Sequence, residues 1–222
     1  RNFLFFRVEM GNATKVITRY MQYRAANRMV ERVHRNLNGQ DKKNKGLIWH
    51  WQGSGKTLTM IFAAHKLYFS SFLGNPTLFF MVDRIELEDQ LYQEFNALDI
   101  AKPEIIGSIT ALKKILCYDD YRGKRGLFIV LIHKFRPEEL KLLQMELEEV
   151  SKHKETIMTR RNVVAFIDEG HRTQYGLLAG QMKTILKKAF FFAMTGTPIA
   201  KHGRDTYSEF SYPPEESYLD RY

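Results

Sequence analysis

Residues 46–60 read GLIWHWQGSGKTLTM. A short apolar run passes into Gln52-Gly53-Ser54-Gly55-Lys56-Thr57 and then into an apolar-periodic stretch that begins near Thr57, the order expected of a strand, a tight turn and a helix. Gly53 and Gly55 allow the backbone to bend so that successive N–H groups face inward on an anion, and the helix start adds the positive end of its dipole. In such a turn Lys56 reaches the β and γ phosphates as a point charge, and the Thr57 hydroxyl ligates Mg²⁺. The pattern G-x-x-x-x-G-K-[ST] is met except at its first position, where His50 stands. A G-S-G-K-T string also arises by chance, so the surrounding sequence has to decide.

Working outward, apolar runs of similar length recur: TLFFMV (77–82), LFIVLI (127–132), NVVAFID (162–168) and AFFFAMT (189–195). They are rich in β-branched and aromatic residues and nearly continuous, the pattern of strands buried on both faces. Helical periodicity fills the intervals at Thr57–Phe69, Glu86–Leu98, Pro137–His153 and Leu177–Lys188. Strand alternating with helix predicts an α/β fold, a mainly parallel, doubly wound sheet flanked by helices.

Two of these strands end in groups that suit the phosphate turn. In VVAFIDEGHRTQYG the strand closes on Asp168 and Glu169, two carboxylates at the carboxyl edge of the sheet, where a parallel α/β fold holds its ligand. Asp168 is placed to hold Mg²⁺ and Glu169 to orient or deprotonate an attacking water. His171 follows at a spacing that lets it bond toward the γ-phosphate side, although a plain surface histidine reads the same. In FFFAMTGTPIA the strand ends at Thr195, Gly196 and Pro198 enforce a turn, and Thr195 and Thr197 offer two hydroxyls near the same edge.

The 222 residues suffice for one sizeable core. Lys plus Arg number 34 against 25 Asp plus Glu, a formal charge of +9, which makes an anionic partner plausible without excluding simple solubility. A helix over Thr18–Asn38 is predicted, with Arg24, Arg28, Arg32 and Arg35 on one face and Ala26, Met29, Val30, Val33 and Leu37 on another. The arginine face reads as a solvated surface or as a contact to nucleic acid or a neighbouring domain. The single cysteine, Cys117, excludes an internal disulfide framework and fits a reducing compartment. No run approaches a membrane span, and a cytoplasmic protein with no membrane partner is expected. Arg1 at the start and YLDRY at the end read as the cut ends of something larger.

QGSGKT, DEGH and TGTP, in that order, resemble motifs I, II and III of superfamily 2 helicases and translocases. More narrowly, WHWQGSGKTLTM, VDRIELEDQL, FIDEGHRTQYG and AMTGTPI resemble the motor of the restriction (R) subunit of type I restriction-modification enzymes, and the likeness runs over nearly the whole chain. It implies a RecA-like P-loop lobe over residues 46–205, a basic helical lead-in over 1–45, and a loop over 206–222 toward a second lobe. It implies ATP and Mg²⁺ as cofactors, with Gln52, Gly53, Ser54, Gly55, Lys56 and Thr57 on the phosphates and Thr57 and Asp168 on the metal. Lys56, Asp168, Glu169 and His171 are the implied catalytic set, and Thr195 and Thr197 couple hydrolysis to movement. Gln22, in RYMQYRAA, matches the glutamine that reads the adenine edge; without the resemblance it reads as an exposed helix residue. Arg84 and Ser108 match positions near the DNA strand, where a structural ion pair and a turn-forming serine are equal alternatives. Gly170 stands where alanine is commoner, and LIHKF, around His133, departs from the family's threonines and glutamine. The implied partners are duplex DNA and the modification and specificity subunits of the same complex. The family's nuclease domain and second lobe are not found in these residues, so weak or no hydrolysis by this piece alone is expected. A different P-loop enzyme such as a kinase, another superfamily 2 motor, and a non-catalytic nucleic-acid-binding module stay open.

Overall fold

The computed structural model describes residues 4–82, 85–98, 102–168, 173–197, 200–201, 204–205 and 210. Its centre is a six-stranded sheet built from β3 (Lys45–Trp49), β4 (Thr77–Val82), β5 (Glu104–Ile106), β6 (Gly126–Leu131), β7 (Val163–Asp168) and β8 (Phe190–Thr195). The strand order is β3-β8-β7-β4-β6-β5, and every pairing within it is parallel. Each strand of β4, β7 and β8 is buried along its whole length. The continuous apolar runs follow from that placement, because a parallel strand covered on both faces has no solvent side.

The pleat then sorts alternate residues into two cores. Phe79 and Met81 of β4, Phe128 and Val130 of β6, Val163, Ala165 and Ile167 of β7, and Phe191 and Ala193 of β8 face one layer. That layer is closed by α4 (Ile109–Leu116), α5 (Pro137–Ser151) and α6 (Thr173–Ile185). Phe80, Ile129, Phe166, Phe190, Phe192 and Met194 face the other, under α1 (Tyr20–Leu37), α2 (Lys56–Tyr68) and α3 (Ile85–Ala97). Phe80 stacks on Phe166 with ring centroids 5.1 Å apart and meets Phe95 of α3 edge-on at 5.0 Å, geometries that add to the area each ring buries. A one-residue slip of any central strand would exchange its two faces, so register is fixed by both cores at once.

Three parts depart from the sequence expectation. The lead-in is not helical throughout: β1 (Leu4–Glu9) and β2 (Asn12–Ile17) form an antiparallel hairpin ahead of α1. Met10 and Gly11, both at positive φ (48° and 78°), make the two-residue turn whose twist matches paired strands. Arg7 of the hairpin ion-pairs with Glu94 of α3 at 3.0 Å. The stretch between α3 and β6 also carries structure that periodicity did not reveal. There β5, at three residues, is too short to show a period, and α4 is capped by Ser108, whose Oγ accepts from the Ala111 N–H at 3.2 Å. The fourth predicted interval is helical over Thr173–Ile185, four residues earlier at its start than Leu177. The predicted loop at residues 211–222 lies outside the described residues. Among the described residues no helix is long and apolar enough to cross a membrane.

Candidate functional site

The strand order places the carboxyl ends of β3, β8 and β7 side by side, with Trp49 paired to Thr195 and Asp168 to Met194. The phosphate-type turn, the Thr195–Thr197 turn and Asp168 therefore share one edge, although the first lies more than 100 residues from the other two in sequence. This is the edge at which open parallel sheets bind ligands.

The turn after β3 is shaped by two residues in left-handed backbone, Gly53 (φ 78°) and Gly55 (φ 80°). Gly55 is also the N-cap of α2, and its carbonyl accepts from the Thr59 N–H and hydroxyl at 3.0 and 3.1 Å. A side chain there is excluded twice over: the backbone is left-handed, and a Cβ would stand 2.2 Å from Gln22 Nε2. Lys56 and Thr57 then open the helix, both half-buried. Asp168, the last residue of β7, is 5% exposed, so its carboxylate is largely removed from bulk water and engaged with neighbours.

The Thr195–Thr197 segment packs directly on this turn. The His50 N–H donates to the Thr195 carbonyl at 3.0 Å, and Trp49 Nε1 donates to the Gly196 carbonyl at 3.2 Å. A Cβ added at Gly196 would lie 3.4 Å from Gln52 N and His50 O and 3.5 Å from Lys56 Nζ. Thr195 is fully buried and its Oγ1 accepts from the Thr197 N–H at 3.1 Å, while Thr197 is exposed.

Gln22 is not an exposed helix residue; it is 5% exposed and wedged against the turn. Its Oε1 accepts from the Arg19 N–H at 3.0 Å, and its Nε2 donates to the Ser54 carbonyl at 3.0 Å, with the Gly55 carbonyl at 3.4 Å. Both ends of the amide are therefore engaged with the chain. His50 is buried at 3% exposure, and neither ring nitrogen has a hydrogen-bond partner. Burial, and then the charge of Lys56, lower its pKa from the ordinary 6.5, so the ring is neutral at neutral pH. Sequence alone marked His50 only as a missing glycine. It gave no sign of Arg19, Trp49 and Trp51, which with His50 line a cleft of about 120 Å³ beside the turn.

The remaining predicted residues are not gathered here. Ser108 is exposed at the far flank of the sheet, after β5, which has four strands between it and β3 in the sheet order. His133 is exposed in a 3-10 turn (Ile132–Lys134) after β6. Arg84, Glu169 and His171 lie outside the described residues. Arg24, Arg28 and Arg32 of α1 are half-buried rather than fully solvated, and Arg32 Nη1 donates to the Lys45 carbonyl at 2.7 Å.

The donor set is chemically coherent for a metal-bound triphosphate. A glycine-bent turn with a lysine suits phosphate oxygens, although the Ser54 N–H donates to the Trp51 carbonyl at 3.2 Å, and a threonine hydroxyl with a carboxylate suits a hard cation such as Mg²⁺.

Comparisons with known proteins agree on the class. The family model for the SWI2/SNF2 ATPase matches residues 21–222. A Methanocaldococcus jannaschii chain carrying the name type I restriction enzyme MjaVIIIP endonuclease subunit is 38% identical over 237 residues, covering 100% of this chain and 22% of its own length. The HindI endonuclease subunit of Haemophilus influenzae is 31% identical, covering 93% of this chain and 20% of its own. This chain thus spans about a fifth of the length of those relatives. Among solved structures, the UvsW helicase of bacteriophage T4 has a TM-score of 0.55 at 12% identity, over 94% of this chain and 62% of that one. The type ISP restriction-modification enzyme LlaBIII bound to DNA has a TM-score of 0.56 at 12% identity, over 95% of this chain and 16% of that one. At such identities these two likenesses speak for the fold.

Proposed function

Because the chain belongs to the SWI2/SNF2 ATPase family, as the ATPase domain of a type I restriction enzyme endonuclease subunit, we propose that it binds and hydrolyses ATP with Mg²⁺ to move duplex DNA. The observation that carries this reading is the convergence of three strand ends, β3, β8 and β7, on one edge. Lys56 stabilises the charge that develops on the β and γ phosphates, and the N–H groups of Gln52 to Thr57 hold the phosphates in place. Thr57 and Asp168 hold Mg²⁺, which when bound neutralises phosphate charge. Glu169 orients and deprotonates water, and His171 bonds toward the γ phosphate.

Thr195 and Thr197 transmit the loop's state, a role supported by the bonds from the His50 N–H to the Thr195 carbonyl and from Trp49 Nε1 to the Gly196 carbonyl. Movement of that turn shifts the chain beyond β8, which in the full protein leads to a second lobe. Arg84 and Ser108 contact the DNA backbone in this reading, and the modification and specificity subunits are the protein partners.

ATP hydrolysis by the full-length protein, with and without duplex DNA, tests the proposal. Stimulation by duplex DNA is expected, with Lys56→Ala and Asp168→Asn each lowering the stimulated rate by about 10²–10³-fold. Glu169→Gln should retain ATP binding and lose turnover. Wild-type hydrolysis that ignores DNA, or a Lys56→Ala protein with normal turnover, would overturn it.

A further inference from the structure

Trp49 is the last residue of β3, and it is 53% exposed although Leu47 and Ile48 before it are buried. Burial of apolar area therefore gives little reason for so large a ring at this position. What the ring does make is a bond: Nε1 donates to the Gly196 carbonyl at 3.2 Å, across 147 residues of sequence. Backbone pairing joins the two strands only as far as the end of β8, through Trp49 opposite Thr195 and the His50 N–H on the Thr195 carbonyl. Beyond Thr195 the chain turns, with the Thr197 N–H on Thr195 Oγ1. The Gly196 carbonyl, inside that turn, is reached by the indole alone among the described residues. Trp49 thus bridges the strand that leads into the phosphate turn and the turn that leads out of β8. An indole suits a strut: it carries a single donor on a rigid ring system with two side-chain torsions, whereas a lysine or glutamine would absorb a displacement by changing rotamer.

We propose that Trp49 is a positioning residue for coupling: its indole N–H ties the Thr195–Thr197 turn to the phosphate turn, so that the state of the nucleotide is passed to the chain beyond β8. This rests on the reading of the chain as an ATP-driven DNA motor with Thr195 and Thr197 in the coupling segment. The bond lies outside the donor set for phosphate and metal, Lys56, Thr57 and Asp168, so its loss leaves those groups in place. What its loss removes is the fixed spacing between the two turns. Hydrolysis then proceeds with less movement per ATP.

The measurement is base pairs moved per ATP hydrolysed, taken from both rates in one reaction of the assembled full-length enzyme on duplex DNA. Trp49→Phe keeps an apolar ring and deletes the donor. It should lower that ratio at least about threefold, the scale of one neutral hydrogen bond, and hold the KM for ATP within about twofold of wild type. The ratio counts only folded, active enzyme, so a lower unfolding midpoint does not disturb it. Thr195→Val removes the hydroxyl that accepts from the Thr197 N–H and should lower the ratio too. The double variant should then fall no further than the larger single effect, because both act through one turn. The proposal is overturned if Trp49→Phe leaves the ratio unchanged, whether it spares both rates or lowers them together. It is overturned equally if the KM for ATP rises by more than about twofold, or if the two substitutions multiply in the double variant. A wild-type enzyme that hydrolyses ATP and moves no DNA overturns the motor reading itself, a result distinct from these.

Discussion

At the amino-terminal edge of the sheet Arg160 lies 7% exposed among the starts of β4, β6 and β7, and each of its three side-chain nitrogens finds an acceptor. Nη1 meets the carbonyls of Arg122 at 2.8 Å and Gly123 at 3.1 Å, Nη2 meets Thr77 Oγ1 at 3.1 Å, and Nε meets Asn162 Oδ1 at 3.0 Å. Thr77 passes the chain on to the Lys124 carbonyl at 2.8 Å. At the carboxyl edge, about one strand length away, His50 and Ser54 hold buried polar atoms with no partner, and two glycines stand in left-handed backbone. One edge has completed its polar network within the chain; the other is left open at the mouth of the phosphate turn. The same sheet thus has one end whose buried polar groups are paired within the chain and one that keeps unpaired polar atoms, which in the proposed reading is where the nucleotide binds.

That contrast can be broken by substitution, and the largest effect belongs to the closed edge. Burial lowers the Arg160 pKa to about 10, which still leaves it charged at neutral pH. Arg160→Met should cost about 3 kcal/mol, because it strands two backbone carbonyls in a buried site. Urea unfolding would read this as a lower midpoint at unchanged slope, with ATP affinity of the folded protein unaltered. Gly55→Ala, at the open edge, should cost roughly 1–2 kcal/mol for its left-handed backbone and displace the Gln22 amide. Here ATP affinity should fall together with the unfolding midpoint, the pairing that Arg160→Met does not show.

The effect at His50 is smaller and appears in pH dependence. Its ring titrates near 6.5 when unfolded and lower when folded, so below pH 6.5 the unfolded chain takes up more protons. The stability contributed is whole above 6.5 and is lost as pH falls through that value toward the folded pKa. His50→Leu should therefore flatten the decline of unfolding midpoint between about pH 7 and 5. Part of the slope stays, since burial also lowers the His65 pKa. The least effect is expected at the Lys124–Glu104 ion pair, 2.5 Å long with side chains 41% and 50% exposed. Glu104→Gln should shift stability by no more than about 0.5 kcal/mol, within the range of a solvent-screened pair.

How much of this was legible in the sequence differs between the two edges. β4, β6, β7 and β8 could be read from apolar runs, because burial on both faces leaves a nearly unbroken signal, and β3 from a shorter run at the sheet edge. That the glycine turn, Asp168 and the Thr195–Thr197 segment share one sheet edge could be read because each closes or follows a strand of the same parallel sheet. Arg160 could not, since its acceptors are mostly backbone carbonyls and carbonyls have no letter. The Gln22 contact to Ser54 and Gly55 spans more than 30 residues, and only the fold brings its ends together. His50 looked like a defect in a pattern; burial without a partner is a property of the packed structure. The hairpin of β1 and β2 went unread because Gly11 is its one turn signal and the other positive φ falls on Met10, a residue type that gives none.

The central claim is that the open edge is completed by a nucleoside triphosphate, and thermal unfolding with saturating Mg·ATP tests it most directly. A ligand at about 100 times its dissociation constant stabilises the folded state by roughly 2.7 kcal/mol, so the wild-type protein should melt several degrees higher with Mg·ATP and the Lys56→Ala protein should not. Equal melting of wild type with and without Mg·ATP, or an equal rise in both proteins, would contradict it.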